Sequence, residues 1–473
     1  MLFNSLTFVV FFIVVVVLFW AIRSWSWKKN MLLVASYVFY GAWNPPFALL
    51  LLFSTFIDYI AGAKMAAEER PFARRVWLVI SLVANLGLLG FFKYGGFFVH
   101  NMEGFLVQMG VQYRAPAIDV ILPVGISFYT FQTLSYTLDI YRRKLAPAAS
   151  FRDFALYVAF FPQLVAGPIV RAIDFLPQCV TQTPPRAGRF AWGMFLMTLG
   201  LFQKVVLADT LLASSSDSVF GYGGKLAMLD AWTGVLGFSA QIFFDFSGYS
   251  TCAIGLAMCL GFYLNDNFRF PYAAVGFSDF WRRWHISLST WLRDYLYIPM
   301  GGNRHGAWRT GLNLVVLMFL GGLWHGAAWT FVVWGLIHGF YLVVEHTLRT
   351  LFGDPRFFST LLSKIAIGLL TYVAVCFAWV FFRAQDFGTA WRIVESMVGI
   401  TGTADKLLST RELLQVGIVT VALLTAHWLM RETSIEDVAA RTPKWLIAGV
   451  WATMLFFIIL TQGSANAFIY FQF

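Results

Sequence analysis

The sequence is short of charged residues. Only 12% of its 473 residues are Asp, Glu, Lys or Arg, whereas a soluble domain carries about 25% because its surface has to face water. Hydrophobic residues make up 59% of the chain, and 50 residues are phenylalanine. A soluble protein of this length could not bury so much apolar surface in one core. The composition therefore excludes an ordinary soluble protein and indicates a chain embedded in a hydrocarbon solvent.

Cysteine is also scarce, and several well-known catalytic motifs are missing. The four cysteines lie within or beside apolar runs without the pairing of zinc ligands, so we expect small core residues at Cys179, Cys252, Cys259 and Cys376. No His, Cys, Asp and Glu cluster has metal-ligand spacing, which predicts no metal site. The sequence also lacks a G-x-S-x-G elbow and a P-loop, which argues against serine hydrolase and ATPase mechanisms.

Apolar stretches of membrane-spanning length run along the whole chain. They lie near 3–22, 31–45, 47–63, 76–98, 119–140, 190–212, 229–264, 311–324, 327–347, 361–382, 413–430 and 444–461. The run at 229–264 is long enough for more than one pass, and several others are near the minimum, so we predict about 11 or 12 crossings. With no internal repeat and no soluble segment, we expect one membrane-embedded domain over 1–473, with N-terminal helices at 1–150, a core at 151–347 and C-terminal helices at 348–473.

The basic residues predict the orientation of the chain. The first apolar run has no basic segment before it and no small-residue cleavage site after it, so we expect a first helix rather than a signal peptide. Lys and Arg follow the first and third runs and return at 141–144, which places all three loops on the cytoplasmic side. Both termini are then periplasmic, including the tail at 464–473. Because these loops account for the net charge of +10, we expect contact with membrane lipids and no nucleic-acid partner.

Two segments break the pattern of regular spans. Residues 154–170 are apolar but short, carry two prolines and a glycine, and have basic residues on both flanks. This pattern predicts a re-entrant hairpin, packed against protein or beside a cavity near Gln163 and Gly167. Residues 265–310 mix Trp and Tyr with six arginines, which favours interfacial or partly inserted helices.

Polar side chains inside apolar runs are costly in a membrane, so they are candidate functional residues. His325 has apolar runs of about 14 and 20 residues on its two sides, and an imidazole can take a proton from a hydroxyl and return it. A histidine hydrogen-bonded between helices is an equally weighted alternative. His338 would lie about 20 Å further along one continuous helix and on another face, so we expect a structural role. Asp245 either pairs with a buried cation, such as Lys93 or Lys204, or lines a polar channel.

Eight short segments carry a resemblance to a known family. They are Lys93-Tyr94, LPVGISFYTFQTLSY (122–136), FPQLVAGPI (161–169), FFDFSGYS (243–250), NFRFPY (267–272), FWRRWHISLSTWLRDYLYIPMGGNR (280–304), LWHGAAWTFVVWGLIHG (323–339) and FAWVFFRA (377–384). Together they resemble the membrane-bound O-acyltransferase family, in the bacterial branch that includes the alginate O-acetylation membrane protein. The resemblance covers essentially the whole chain and is most specific over 280–339, where Met300 stands in a place that relatives often fill with leucine.

The resemblance implies a fold and a set of site residues. The fold would be a ring of tilted helices around a thin centre, with a tunnel that reaches a catalytic histidine. His325, in the WHG motif, matches that histidine, and His285, in the WHISLS motif, matches a second functional histidine on the cytoplasmic side of the tunnel. Further tunnel or substrate contacts are implied for Trp324, Asp245, Trp284, Arg282, Arg293, Asp294, Asn303 and Gln163.

The arginines of this block have two interpretations. Arg282, Arg283 and Arg293 are candidate partners for the phosphates of coenzyme A, because a guanidinium binds phosphate through two parallel hydrogen bonds. Contact with lipid headgroups is the alternative for each of them.

The implied reaction is acyl transfer with no bound cofactor. An acyl thioester, with acetyl-CoA as the donor substrate, would present its carbonyl from the cytoplasm while His325 removes a proton from an acceptor hydroxyl. Transient acylation of His325 is another route. The acceptor would be a polysaccharide such as alginate, or a serine of an extracytoplasmic SGNH-type partner protein. Cellulose, peptidoglycan and D-alanylated teichoic acid stay open as polymers, and an acyl carrier protein stays open as the donor.

Two other classes of protein also fit part of the sequence. Broken helices and buried ionisable residues would suit a transporter or flippase, but the sequence shows no repeat of the kind common in transporters. A non-enzymatic scaffold for an export complex is the third possibility.

Overall fold

The apolar runs of the sequence form helices. The structure, a computed structural model, describes residues 1–113, 120–181, 187–353, 360–400, 404–461 and residue 469. Its regular elements in these ranges are helices, apart from an isolated bridge between Leu226 and Asp405. The predicted all-α fold of a multi-pass membrane protein is confirmed for this part of the chain. The C-terminal tail that we place in the periplasm lies outside the described residues, except for Ile469.

The helices follow one another with short connections. In chain order they are α1 (Leu6–Ala21), α2 (Trp25–Gly41), α3 (Pro45–Ala67), α4 (Pro71–Leu89), α5 (Gly95–Gln108), α6 (Ile126–Tyr141), α7 (Phe151–Ala159), α8 (Phe161–Leu164), α9 (Ala172–Val180), α10 (Ala187–Leu201), α11 (Ala213–Gly221), α12 (Met228–Cys259), α13 (Phe277–Arg283), α14 (Ile286–Leu292), α15 (Gly306–His325), α16 (Trp329–Phe352), α17 (Leu361–Arg383), α18 (Phe387–Met397), α19 (Thr410–Leu429), α20 (Ile435–Arg441) and α21 (Lys444–Leu460). Three π-helical segments, Gly90–Tyr94, Phe202–Leu212 and Arg293–Tyr297, and one 3-10 turn, Pro271–Ala273, complete the set.

Eight helical runs among the described residues are long and apolar enough to cross a membrane. They are Pro45–Ala67, Pro71–Gln108, Gly188–Gly221, Met228–Cys259, Gly306–His325, Trp329–Phe352, Leu361–Arg383 and Thr410–Leu429. Helices α1 and α21 are apolar but shorter. The long run near 229–264 forms one uninterrupted helix of 32 residues rather than two passes. The total number of crossings and the ring of tilted helices stay predictions.

The Cα positions of the chain cluster into two compact units. The first holds Met1–Met197 and Ala253–Asn265, and the second holds Thr198–Cys252 and Asp266–Phe473. These boundaries differ from the subdivision at 150 and 347 that the sequence suggests, and a single membrane-embedded domain stays a prediction. The histidines of the WHISLS and WHG motifs both belong to the second unit.

In the first unit, the helix breaks in the segment for which we predict a re-entrant hairpin. Helix α7 ends at Ala159, the single turn α8 follows, and α9 begins only at Ala172. Every residue from 154 to 170 is buried, so the irregular backbone is packed against protein, as a membrane location requires. The Gln163 side-chain amide donates to the main chain of α7 at 2.6 Å. A Cβ at Gly167 would lie 2.5 Å from the Gln163 Cα, so the chain folds back tightly here. The cavity that the sequence predicts near these two residues stays a prediction.

In the second unit, the arginine-rich segment at 265–310 is not a regular span, as predicted. It holds the short helices α13 and α14, a π-helical turn and several further turns before α15 begins. The main-chain N–H of Arg269 donates to the Arg283 carbonyl, and that of Ile286 donates to the Asn267 carbonyl, both at 2.9 Å. The extended chain around residue 268 is therefore fastened to the junction of α13 and α14. An interfacial position for these helices stays a prediction.

Helices α15 and α16 form the hairpin that carries the WHG motif. Helix α15 ends at His325, and α16 begins four residues later. Where the two helices cross, a Cβ at Gly322 would lie 3.2 Å from the Gly335 Cα. The missing side chains let the two backbones approach closely, as small residues do in membrane helix pairs. Because the chain turns at the end of α15, His325 and His338 lie on different helices, and the continuous helix assumed from the sequence is wrong.

Gly322→Ala is expected to destabilise the protein by about 1–3 kcal/mol, because the new methyl group would have to displace backbone rather than a flexible side chain. Gly311→Ala on the same helix is the matched control. Its Cβ would meet the Val343 methyl groups at 3.7 Å, which is ordinary contact, and a helical Gly→Ala change favours folding by about 0.5–1 kcal/mol. Thermal unfolding of the purified variants measures both effects. Equal midpoints for the two variants would contradict a backbone-limited crossing.

Candidate active site

His325 is the last residue of α15 and lies in buried aromatic surroundings. Its side chain is only 3% exposed. Its ring centroid lies 5.0 Å from that of Trp324, 4.9 Å from that of Trp334 and 5.2 Å from that of Phe382, each ring meeting it edge to face. An imidazole shielded from water in this way can exchange a proton with a reacting hydroxyl without competition from solvent.

His285 adopts an uncommon backbone conformation. Its φ of 43° lies in the left-handed region, which residues with a Cβ rarely occupy. It precedes α14 and is fully buried. A conformation of this kind costs about 1–3 kcal/mol, persists only where the surroundings enforce it, and is enriched at active sites. The backbone therefore supports a functional role for this histidine.

Asn267 holds the His285 ring and the turn that follows it. Its Oδ1 accepts hydrogen bonds from the Ser287 hydroxyl at 2.8 Å and the Ser287 N–H at 3.2 Å, and lies 3.1 Å from His285 Nδ1. Its Nδ2 donates to the Ser250 hydroxyl at 3.1 Å. Because an amide oxygen can only accept, His285 Nδ1 carries the proton and Nε2 keeps its lone pair. Burial lowers the pKa of His285 to about 3, so the ring is neutral at physiological pH.

The two signature histidines lie side by side. Their ring centroids are 6.5 Å apart, and Trp324 contacts both, at 5.7 Å from His285 and 5.0 Å from His325. The whole of α15 separates the two histidines in the chain, so the fold brings them together. The structure thus unites three of the residues that the sequence singles out, while their catalytic roles stay predictions.

Asn267 is a site residue that the sequence does not single out. It lies in the NFRFPY segment, where an amide side chain among aromatic residues is the sequence feature that could have pointed to a site residue. We expect Asn267→Ala to lower acyl transfer about a hundredfold, because the His285 ring would lose the contact that fixes it and a misplacement of about 1 Å at an active site can cost that much rate. Asn265→Ala, two residues earlier and exposed, is the control. Initial rates at saturating donor, together with the unfolding midpoint, make the comparison; a native rate for Asn267→Ala would remove its positioning role.

Asp245 belongs to a buried ion cluster. Its Oδ1 lies 2.5 Å from the Lys204 Nζ, which also lies 2.8 Å from the Asp209 Oδ1. The second Asp245 oxygen accepts the main-chain N–H of Ile469 at 2.9 Å. All three side chains of the cluster are less than a tenth exposed. Of the two alternatives for Asp245, pairing with Lys204 is therefore present, and a channel-lining role stays a prediction.

Two further predicted contacts are buried. Trp284 stacks on Phe280, with ring centroids 5.7 Å apart, and lies 5.1 Å from Trp379. Trp379 in turn stacks 5.8 Å from Trp334, which touches His325, so Trp284 belongs to the same aromatic cluster. Gln163 is fully buried in the first unit.

Three of the predicted polar contacts between residues 282 and 303 are at the surface. Arg282, Arg293 and Asn303 are exposed, so they are not part of the buried cluster around His325. The Arg293 guanidinium lies 2.7 Å from the neighbouring carboxylate of Asp294. By contrast, Arg283 is largely buried, 3.0 Å from the Asp279 carboxylate, and a contact with the phosphates of coenzyme A stays a prediction.

Comparisons with known proteins cover most of the chain. The model of the membrane-bound O-acyltransferase family matches residues 141–385. The chain is 39% identical to a probable alginate O-acetylase of Pseudomonas aeruginosa over 94% of this chain and 84% of that protein. It is 38% identical to a peptidoglycan O-acetyltransferase of Helicobacter pylori over 80% of this chain and 75% of that protein. It is 25% identical to a teichoic acid D-alanyltransferase of Bacillus subtilis over 58% and 71% of the two chains. The chain therefore belongs to the membrane-bound O-acyltransferase family and is an O-acyltransferase.

Proposed function

We propose that this protein, in the inner membrane of a bacterium, takes an acetyl group from a cytoplasmic thioester and delivers it for O-acetylation of an exopolysaccharide such as alginate. The observation that carries the proposal is the pairing of His285 and His325, 6.5 Å apart inside a buried aromatic cluster. The similarity to a probable alginate O-acetylase over 94% of the chain supports acetyl as the group and alginate as the polymer. The lower identity to a D-alanyltransferase makes D-alanine the weaker choice.

His325 acts as the base in the proposed reaction. A neutral imidazole nitrogen takes the proton of the acceptor hydroxyl as its oxygen attacks the acetyl carbonyl. The tetrahedral intermediate collapses with cleavage of the carbon–sulfur bond, and the imidazolium returns the proton to the departing thiolate. The acetyl group ends as an oxygen ester and the donor as a free thiol. Transient acetylation of His325 would give the same products in two steps.

His285 is proposed to shape the wall of the site next to His325. Asn267 fixes its Nδ1–H, so the ring offers Nε2 as a hydrogen-bond acceptor on its other side. Trp324 touches both histidines and limits how far either ring can move. This arrangement supports a role for His285 in guiding the donor toward His325 rather than in proton transfer itself.

Acetyl-CoA is the proposed donor, and it approaches from the cytoplasm. Arg282 and Arg293 are the candidate contacts for its phosphates, since both residues are exposed and a guanidinium group binds phosphate well. The acceptor approaches from the periplasm, either as the polysaccharide or as a serine of an SGNH-type partner protein that passes the acetyl group on. Both chain termini are periplasmic in this orientation. Reporter fusions that are active only in the cytoplasm or only in the periplasm test it.

The first test is transfer of radiolabelled acetyl from acetyl-CoA by the purified protein in nanodiscs. Alginate and peptidoglycan fragments are compared as acceptors, each with and without a partner protein of the SGNH type. The proposal expects labelled alginate and release of coenzyme A. Labelling of peptidoglycan alone would move the function to the polymer of the Helicobacter pylori relative. No labelling of any acceptor, together with passage of a ligand across the membrane of sealed proteoliposomes, would support a transporter instead.

A further inference from the structure

His338 is a buried histidine without a hydrogen-bond partner in the described chain. It lies on α16 and is 0% exposed. Neither its Nδ1 nor its Nε2 is hydrogen-bonded to a described residue. The reaction proposed above makes no use of it, so its polar atoms need an explanation of their own.

The surroundings of His338 are aromatic and hold further unpartnered donors. Its ring centroid lies 4.9 Å from that of Trp334, 5.1 Å from that of Trp281, 5.8 Å from that of Tyr341 and 6.0 Å from that of Phe280. The buried indole nitrogens of Trp281 and Trp334 also lack hydrogen-bond partners among the described residues. An imidazole and two indole N–H groups, none of them hydrogen-bonded to the part of the chain that the structure describes, thus occur next to one another.

A purely structural residue at this place would be better if it were apolar. Burying an unpaired polar group destabilises the folded protein. A phenylalanine at 338 would match the aromatic neighbours without that cost. Natural sequences depart from such local preferences mainly at functional sites. The cluster therefore points to a ligand that supplies hydrogen bonds from outside the chain.

The distance from His325 fits the reach of the acyl donor. Trp334 touches both histidines with centroids 4.9 Å away in each case, so the two imidazole rings lie at most 9.8 Å apart. Coenzyme A and acyl carrier proteins share a pantetheine arm, whose first amide follows two carbon atoms after the sulfur. Standard bond lengths place that amide about 5–7 Å from the thioester carbonyl. A donor held with its carbonyl beside His325 can therefore bring this amide to His338.

We propose that His338, with the indole N–H groups of Trp281 and Trp334, binds the amide of the donor's pantetheine arm that is nearest to the thioester. The amide carbonyl accepts from an indole N–H, and the amide N–H donates to the unprotonated nitrogen of the imidazole. The indoles can only donate and the imidazole can accept, so the cluster matches both halves of an amide. This assignment rests on the proposed function, since it presupposes a thioester donor.

The test compares a donor that carries the amide with one that lacks it, in the native protein and in variants of His338. Thiol release by the full chain in nanodiscs, with alginate oligosaccharides as acceptor, is measured for S-acetyl-N-acetylcysteamine and for S-pentyl thioacetate, which has the same chain length but no amide. We expect the native protein to favour the amide donor by about 10–100-fold in kcat/KM, the range of one buried hydrogen-bonded group. His338→Phe should reduce this preference to nearly one, and His338→Gln, which keeps a donor and an acceptor, should retain much of it.

His346→Phe is the matched control, because His346 lies on the same helix and is only partly buried. It should keep the native preference for the amide donor. A native preference in His338→Phe, or equal loss of rate with both donors, would overturn the assignment. If the native protein consumes neither donor nor acetyl-CoA, the proposed function itself fails. A comparison of acetyl-CoA with an acetylated carrier protein identifies which source of the arm is used, and His338→Phe should weaken the preferred one.

Discussion

Replacing His325 with glutamine is expected to lower acetyl transfer about a hundredfold to ten-thousandfold, the usual contribution of a general base. Glutamine keeps hydrogen-bonding capacity and similar bulk but cannot take the proton of the acceptor hydroxyl. The measurement is release of coenzyme A and acetyl labelling of the acceptor at saturating acetyl-CoA. The protein should remain folded, because the close approach of α15 and α16 at Gly322 and Gly335 is kept.

His427→Gln serves as the matched control for this loss. Like His325, His427 is 3% exposed in the second unit, but its Nδ1 accepts the main-chain N–H of Tyr272 at 3.2 Å and it has no part in the proposed chemistry. It should retain most of the native rate. Full activity in His325→Gln would exclude proton transfer by this residue. If the polymer then remained acetylated in cells, the chain would be acting as a scaffold.

Replacing Lys204 with methionine is expected to destabilise the protein by about 3–5 kcal/mol, because two buried carboxylates then lose the ammonium group with which both are paired. Both Asp209 and Asp245 lie within 3 Å of the Lys204 ammonium. The loss should appear as a strongly lowered unfolding midpoint and poor yield. Replacing Lys204 by Met and both Asp209 and Asp245 by Asn removes all three charges. This triple variant should recover much of the stability, as uncharged replacements of buried ion pairs often do.

Arg70→Met provides the comparison at the surface. Arg70 pairs with Glu68 at 2.8 Å, but its side chain is 80% exposed, and exposed pairs contribute little to stability. Its unfolding midpoint should equal that of the native protein. A Lys204→Met variant that unfolds at the native midpoint would show that the cluster is not required for the fold.

Much of the fold could be predicted because the membrane imposes a simple rule on the sequence. No water is present in the bilayer to satisfy exposed backbone groups, and an apolar run of about 20 residues has the length of a spanning helix rather than of a spanning strand. Helix α17 spans Leu361–Arg383, against a predicted run at 361–382. The break before Ala172 was also predictable, because the prolines and glycine around it cannot sustain a regular span.

Interactions between distant segments could not be predicted in the same way. The sequence separates the apolar runs at 311–324 and 327–347, but it does not show that Gly322 and Gly326 pack against α16 and that the chain folds back at His325. Missing that turn led to the wrong placement of His338. The hydrogen bond of Asn267 with His285 likewise depends on the main-chain hydrogen bonds that join the segment around residue 268 to the junction of α13 and α14. Apolar periodicity does not encode such a contact. The resemblance to a family identified His325 and His285, but not the residues that hold them.

The close crossing of α15 and α16 at Gly322 and Gly335 also determines how the enzyme could be adapted to longer acyl chains. Gly322 and Gly335 already bring α15 and α16 into backbone contact, so these helices cannot move closer, and moving them apart would shift the His325 imidazole itself. Extra room beside His325 must therefore come from a smaller side chain at a neighbouring aromatic residue. Of the three rings that meet His325 edge to face, Phe382 is the one on a helix other than α15 and α16, namely α17. Redesign for butyryl or longer donors should begin there and leave the glycines untouched.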